Sequence, residues 1–420
     1  MKRLFFIIFG LSPLFLSAQQ TLTLEECYFL AEKNYPLAKQ TTLLEEKTKS
    51  EITILEKGKL PKLDLNAQAT YQSDVIELPF QIPNATIEPL NKDQYRATLD
   101  ANLLIYNGGN IAANTKLKTA ELAAQQQQIT VNLYTLKSRI SQSYFRVLLF
   151  QEQEKLLVSK MEQLNLRIKE VGAGVKYGAV LPASEYVLKA EILKLEQQLS
   201  QINFDREKAL KNLSLLVFQD LDNKTTLTNP EILVTAETQS ERPELELFQL
   251  QETQLETSKE VISKSSYPKL SGFAQAGYGN PGLNMLDNSF QDFYMVGLKL
   301  NWNILDWGKT KQQKRAVDIS KEMVSTEKET FLLNNEIQLT EAESDINKYK
   351  NMLQKDTEII VLREKVLQAT TSQLQNGSIT PSEYITELNN LYEARIDQQL
   401  HEVKLALAKA SYNIIKGDFK

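Results

Sequence analysis

Two stretches of about sixty residues contain neither glycine nor proline, one between Gly109 and Gly172 and one from Lys309 to Ser372. Roughly 62 residues of helix at 1.5 Å rise would be about 95 Å long, more than a single compact domain can contain. Such rods need companions. In the first, Leu133, Leu136, Ile140, Tyr144 and Val147 recur at coiled-coil spacing. Downstream, Leu188, Ile192, Leu195, Leu199 and Ile202 keep the same 3–4 rhythm, as do Leu400, Val403, Leu407, Ala410 and Ile414, so each rod packs against a helix beside it.

The rods belong to a duplication, which must be recognised before a fold is assigned. Tyr106-Asn107-Gly108-Gly109 returns as Leu305-Asp306-Trp307-Gly308, and the Gly178 loop returns around Gly377, both at an offset of 199 (308 − 109 and 377 − 178). The predicted order in each copy is helix, strand, strand, very long helix, shorter helix. Repeat 1 (19–216) then holds helix 24–57, strands 61–72 and 94–106, long helix 110–172 and helix 183–216. A linker, 217–243, leads to repeat 2 (244–420), with helix 244–265, strands 268–279 and 292–305, long helix 309–372 and helix 382–416.

The four strands alternate with a strict period of two. Leu63, Leu65, Ala67, Ala69 and Tyr71 fall on one face, Lys62, Asp64, Asn66, Gln68 and Thr70 on the other. Tyr95, Ala97, Leu99, Ala101, Leu103 and Ile105 likewise oppose Arg96, Thr98, Asp100 and Asn102. In repeat 2 the apolar set is Leu270, Ala274, Ala276 and Tyr278, then Tyr294, Val296, Leu298, Leu300, Trp302 and Ile304. A half-buried soluble sheet also alternates, but near-spanning length and charges on the second face suit a strand between lipid and a wet lumen. A sheet in hydrocarbon must close on itself, and four strands cannot. The chain is therefore expected to pool strands with its own copies, eight from a dimer or twelve from a trimer, of which about twelve leave a water-filled bore.

Lys2 and Arg3 precede the apolar run Leu4–Leu16, which ends in Ser17-Ala18; residues 1–18 read as a secretory signal peptide, too short to span a membrane as a helix. One cysteine, Cys27, and one histidine, His401, exclude a disulfide framework and a Cys/His zinc site. No catalytic, metal or cofactor-binding set emerges, and the chain reads as not an enzyme. The net charge of −5 argues against a general affinity for nucleic acid or anionic lipid.

The Tyr106-Asn107-Gly108-Gly109 turn, the Gly178 and Gly377 hairpins, and the amphipathic helices after them resemble TolC-like outer-membrane efflux proteins. The resemblance covers nearly the whole exported chain. It implies an α+β membrane protein: four transmembrane strands per chain in a homotrimeric 12-stranded barrel, continued by a long periplasmic α-helical barrel. It further implies an exit duct in the outer-membrane lipid, working with a periplasmic adaptor (membrane fusion) protein and an inner-membrane transporter in tripartite efflux or type I secretion. The Asn-, Thr- and Asp-rich stretch from Val217 to about Arg242 would be its small equatorial region.

A duct needs a wall, a closable end and a docking surface. The end is expected at the hairpin tips, Gly172 to Pro182 and Gln375 to Pro381, where Gly178 and Gly377 suit a left-handed turn and Pro182 and Pro381 start the returning helices. These four either connect helices or also touch an adaptor. By resemblance, Glu383, with Glu387 a turn later and Glu185 in repeat 1, is the candidate acidic ring at a tunnel constriction; the alternative is ordinary helix-start carboxylates. Ile379 and Pro381 stand where an Arg-based latch can sit, so that lock is not carried over. Trp302, Trp307 and Tyr106 are candidate membrane-interface aromatics. The rival readings are a periplasmic adaptor and a coiled-coil structural or adhesin protein; neither accounts for two hairpins each fed by a strand pair.

Overall fold

The computed structural model describes residues 21–76, 89–234 and 241–418, so the proposed signal peptide, 1–18, lies outside the described residues. The order is β1 (Thr21–Leu22), α1 (Leu24–Asn34), a 3-10 turn (Pro36–Lys39), α2 (Gln40–Lys57), β2 (Lys62–Tyr71), β3 (Asp93–Tyr106), α3 (Asn110–Lys176) and α4 (Pro182–Val217). It continues with β4 (Thr226–Leu227), α5 (Pro243–Ser265), β5 (Lys269–Asn280), β6 (Gln291–Asn301), α6 (Lys309–Gln375) and α7 (Pro381–Lys416). The helices α3 and α6 are each 67 residues long, and α4 and α7 each 36.

The chain divides into two units. One contains the sheet and comprises Lys39–Val131 and Pro243–Leu332. Its strands pair antiparallel in the order β2-β3-β5-β6. The β3–β5 pairing, with Ala101 opposite Ala274, joins the strands of the two sequence copies. Period-two alternation puts Leu65, Leu99, Val296 and Leu298 on one face, all exposed. On the opposite face Asp100 accepts hydrogen bonds from Asn66 Nδ2 (2.7 Å), Thr98 Oγ1 (3.0 Å) and Gln275 Nε2 (2.6 Å). Aromatic rings also lie across glycines here: a Cβ on Gly277 would come within 2.5 Å of Phe293, and one on Gly297 within 2.7 Å of Phe273. Beyond β2 and β6 no further strand is added among the described residues, so both edges keep unpaired backbone groups.

The other unit is helical. It takes the described residues within Met1–Ala38, Asn132–Arg242 and Leu333–Lys420. One apolar core gathers Leu24, Tyr28, Ile140, Tyr144, Leu148, Leu213 and Ala410; a second gathers Leu164, Leu188, Leu195, Tyr384 and Leu388. Ile140, Tyr144, Leu188, Leu195 and Ala410 are positions of the coiled-coil rhythm, as a heptad-like seam requires. Within the 217–243 stretch, β4 pairs parallel with β1. Tyr144, buried, ties that pair to α3: its hydroxyl lies 2.9 Å from the Leu22 carbonyl and 2.6 Å from that of Thr228. Gln151 does the same with its amide, donating to Leu227 O and accepting from Leu227 N–H, both at 3.0 Å.

Three expected boundaries are corrected. The helix expected over 24–57 is two helices, because Tyr35 is extended (φ −62°, ψ 132°) ahead of Pro36, the conformation that the proline ring imposes on its predecessor. The long helix expected to end at 172 runs on through Gly172 and Gly174 to Lys176. Glycine costs a helix about 1 kcal/mol without breaking it, and a Cβ on Gly174 would meet Val180 at 2.7 Å, so the close return of the chain needs glycine. The strand expected over 292–305 ends at Asn301, opposite Lys269. The next partner would be Pro268, which has no N–H for the ladder, and Trp302 and Ile304 therefore lie beyond the sheet.

Candidate functional site

Each hairpin tip is closed by a glycine in left-handed backbone, Gly178 at φ +76° and Gly377 at φ +70°. The following residue folds its N–H back over the turn, Ala179 to Gly174 O and Ser378 to Gln373 O, both at 2.8 Å. This is the six-to-one bond of a Schellman cap, which satisfies the last carbonyls of α3 and α6. Pro182 and Pro381 open α4 and α7 at their first positions, where the missing N–H is no loss.

The tips differ in chemistry. In repeat 1 Leu181 begins α4 without a side-chain cap, and Tyr177 and Leu181 stand exposed. In repeat 2 Thr380 and Glu383 form a capping box: Glu383 N–H donates to Thr380 Oγ1 (3.3 Å), and the Glu383 carboxylate accepts from Thr380 N–H (2.7 Å). These bonds hold the Glu383 carboxyl below the usual range. The three candidate ring carboxylates have separate partners. Glu387 meets Arg363 of α6 at 3.2 Å, and Glu185 meets Lys189 one turn along α4 at 2.6 Å.

Sequence reasoning did not find the residues that join the repeats near these tips. Lys160 of α3 pairs with Glu191 of α4 at 3.8 Å and lies 5.8 Å from the Tyr392 ring centroid of α7; burial lowers its pKa. Arg167, seven residues on, covers the Tyr384 ring at 5.8 Å. The signal was present as a cation spacing of seven on α3 against a tyrosine spacing of eight on α7. His401 bridges α7 to Asp356 of α6 at 2.6 Å. No metal-binding cluster is present among the described residues.

At the sheet, Tyr106 ends β3 and is half-exposed, while Trp302 and Trp307 flank the turn into α6 with 55% and 88% of their surface exposed. No helix among the described residues is long and apolar enough to cross a membrane.

The four-stranded sheet has an apolar face and two open edges, and each of its strand pairs feeds a 67-residue helix. Residues 29–217 match the family model described as "Outer membrane efflux protein". Comparison with curated protein sequences finds no match. Among solved structures, the chain is similar to the Campylobacter jejuni CmeC outer membrane channel at 16% identity and TM-score 0.66, over 94% of this chain and 85% of that one. It is similar to CusC at 13% identity and TM-score 0.70, over 94% and 92%. Its likeness to the Vibrio cholerae outer membrane protein VceC is 15% identity and TM-score 0.66, over 94% and 96%. Residues 29–217 carry the outer membrane efflux protein pattern, and the fold is similar to that of these channels over nearly the whole chain.

Proposed function

We propose that this chain is one third of a passive exit duct in the outer membrane. Three copies complete a 12-stranded barrel and the helical tunnel that continues it. A periplasmic adaptor and an inner-membrane transporter deliver the substrate and supply the energy, as in tripartite efflux or type I secretion. The observation that carries this reading is the open sheet. Its apolar face needs hydrocarbon and its β2 and β6 edges need partners, and copies of the same chain satisfy both.

The hairpin tips around Gly178, Pro182, Gly377 and Pro381 form the closable end and the adaptor's landing site. Glu383, Glu387 and Glu185 face the constriction, where three-fold copies of a carboxylate favour cations. Trp302, Trp307 and Tyr106 sit at the membrane interface. Reconstitution into planar lipid bilayers tests the reading: discrete conductance steps are expected, and Glu383→Gln should lower cation selectivity. A protein that leaves the membrane on alkaline extraction and passes no ions would contradict it.

A further inference from the structure

The turn from β6 into α6 differs from its repeat 1 counterpart in a way that the duct itself does not require. Gly108 and Trp307 hold equivalent places in the two turns, and both have left-handed backbone, at φ +69° and φ +54°. Glycine adopts that conformation freely, whereas a bulky L residue is strained in it. The turn in repeat 2 is held by Asp306, whose carboxylate accepts from Gly308 N–H at 3.0 Å and Thr310 N–H at 2.9 Å; the Thr310 side chain, then these N–H groups, keep it below the usual carboxylate range. The Trp307 side chain stands exposed on this turn. Ile304 and Leu305 beside it are also exposed, and the apolar face of β6, through Val296, Leu298 and Leu300, leads directly into Trp302.

Cations follow at once. Lys309, Lys311 and Arg315 are exposed on the first two turns of α6, and none makes an ion pair among the described residues. In repeat 1, Asn110 and Ala112 stand in place of the two lysines, and Lys116, in place of Arg315, is paired with Glu260 at 3.3 Å. The whole-chain charge of −5 does not oppose a local positive patch, since fields between exposed charges fade within about 10 Å at 0.1 M salt.

We propose that this junction is a docking surface for anionic phospholipid headgroups: Trp302 and Trp307 lie in the headgroup layer while Lys309, Lys311 and Arg315 hold the phosphates. Amphipathic indole rings favour that layer, and clustered cations beside it select anionic over zwitterionic lipid. The occupant is lipid because the patch continues the apolar face of the sheet. The inference rests on reading that sheet as membrane-embedded.

The test uses the full-length protein in phosphatidylcholine vesicles doped with brominated phosphatidylcholine or brominated phosphatidylglycerol. With Trp302→Phe, Trp307 is the only tryptophan; Trp307→Phe, which leaves Trp302 as reporter, serves if the first variant does not insert. Brominated phosphatidylglycerol should quench at least about twofold more strongly than brominated phosphatidylcholine. That preference should vanish in K309Q/K311Q/R315Q and in high salt. Equal quenching by the two lipids overturns the proposal. A blue-shifted emission that neither lipid quenches also overturns it, showing that a second copy covers the turn. Absence of channel conductance in the same vesicles would instead contradict the membrane-embedded reading itself.

Discussion

Glu383 accepts hydrogen bonds from both the backbone N–H and the hydroxyl of Thr380, at 2.7 and 3.0 Å, so the carboxylate proposed for the constriction also holds the start of α7. Because its pKa is depressed in the folded chain, it contributes stability above its ordinary pKa and loses that contribution as pH falls through its folded value. Thr380→Ala should cost about 1 kcal/mol through the lost cap, and the pH dependence of unfolding below the ordinary Glu pKa should flatten in Glu383→Gln. Paired thermal melts across the acid range would show both effects.

Tyr144 joins α3 to the β1–β4 pair through two backbone carbonyls. Tyr144→Phe preserves the ring packing against Phe145 but removes the hydroxyl beside the buried Leu22 carbonyl, at a cost of about 1 kcal/mol. The mutant should unfold at lower urea, and the Leu227 amide should exchange faster with deuterium, because the two-residue ladder loses its anchor.

Cys27 is fully buried in the core of the helical unit, and burial together with Glu26 and Glu25 pushes its thiol up to about 12. The thiolate, the reactive form, is then scarce at neutral pH. A maleimide reagent should leave Cys27 unlabelled in the folded protein and label it fully in urea; rapid labelling of the native form would contradict its placement.

Gly377 and Gly174 should respond differently to alanine. At Gly377 an added Cβ meets nothing within 4 Å, so Gly377→Ala should cost only the strain of positive φ, about 1 kcal/mol. At Gly174 the methyl would press on Val180 at 2.7 Å, disturbing the hairpin packing. A larger loss of melting temperature is expected for Gly174→Ala than for Gly377→Ala.

Periodicity revealed most of this fold. The four strands were legible because Leu63 to Tyr71 alternate and their counterparts largely follow, despite Gly272, Phe273 and Phe293, and the rods because glycine and proline are missing from them. What escaped depends on chemistry between distant segments. Pro36 was visible, yet the helical pattern on both sides of it masked the break at Tyr35. Gly172 and Gly174 looked like a turn, but both lie within α3, where Gly174 lets Val180 approach. The β1–β4 pair is two residues long, too short to show a period, and exists because Tyr144 and Gln151 reach it from α3. At the candidate site, the turn glycines and helix-start prolines stood out by residue type. The Glu387–Arg363 pair and the cation–tyrosine contacts of Lys160 and Arg167 required knowing which helices are neighbours.

The stoichiometry of the protein extracted from membranes tests the central claim most directly. Native mass spectrometry in mild detergent should give a single species of three chains, since only added copies supply partners for the β2 and β6 edges. A folded monomer, stable in water without detergent, would contradict the account.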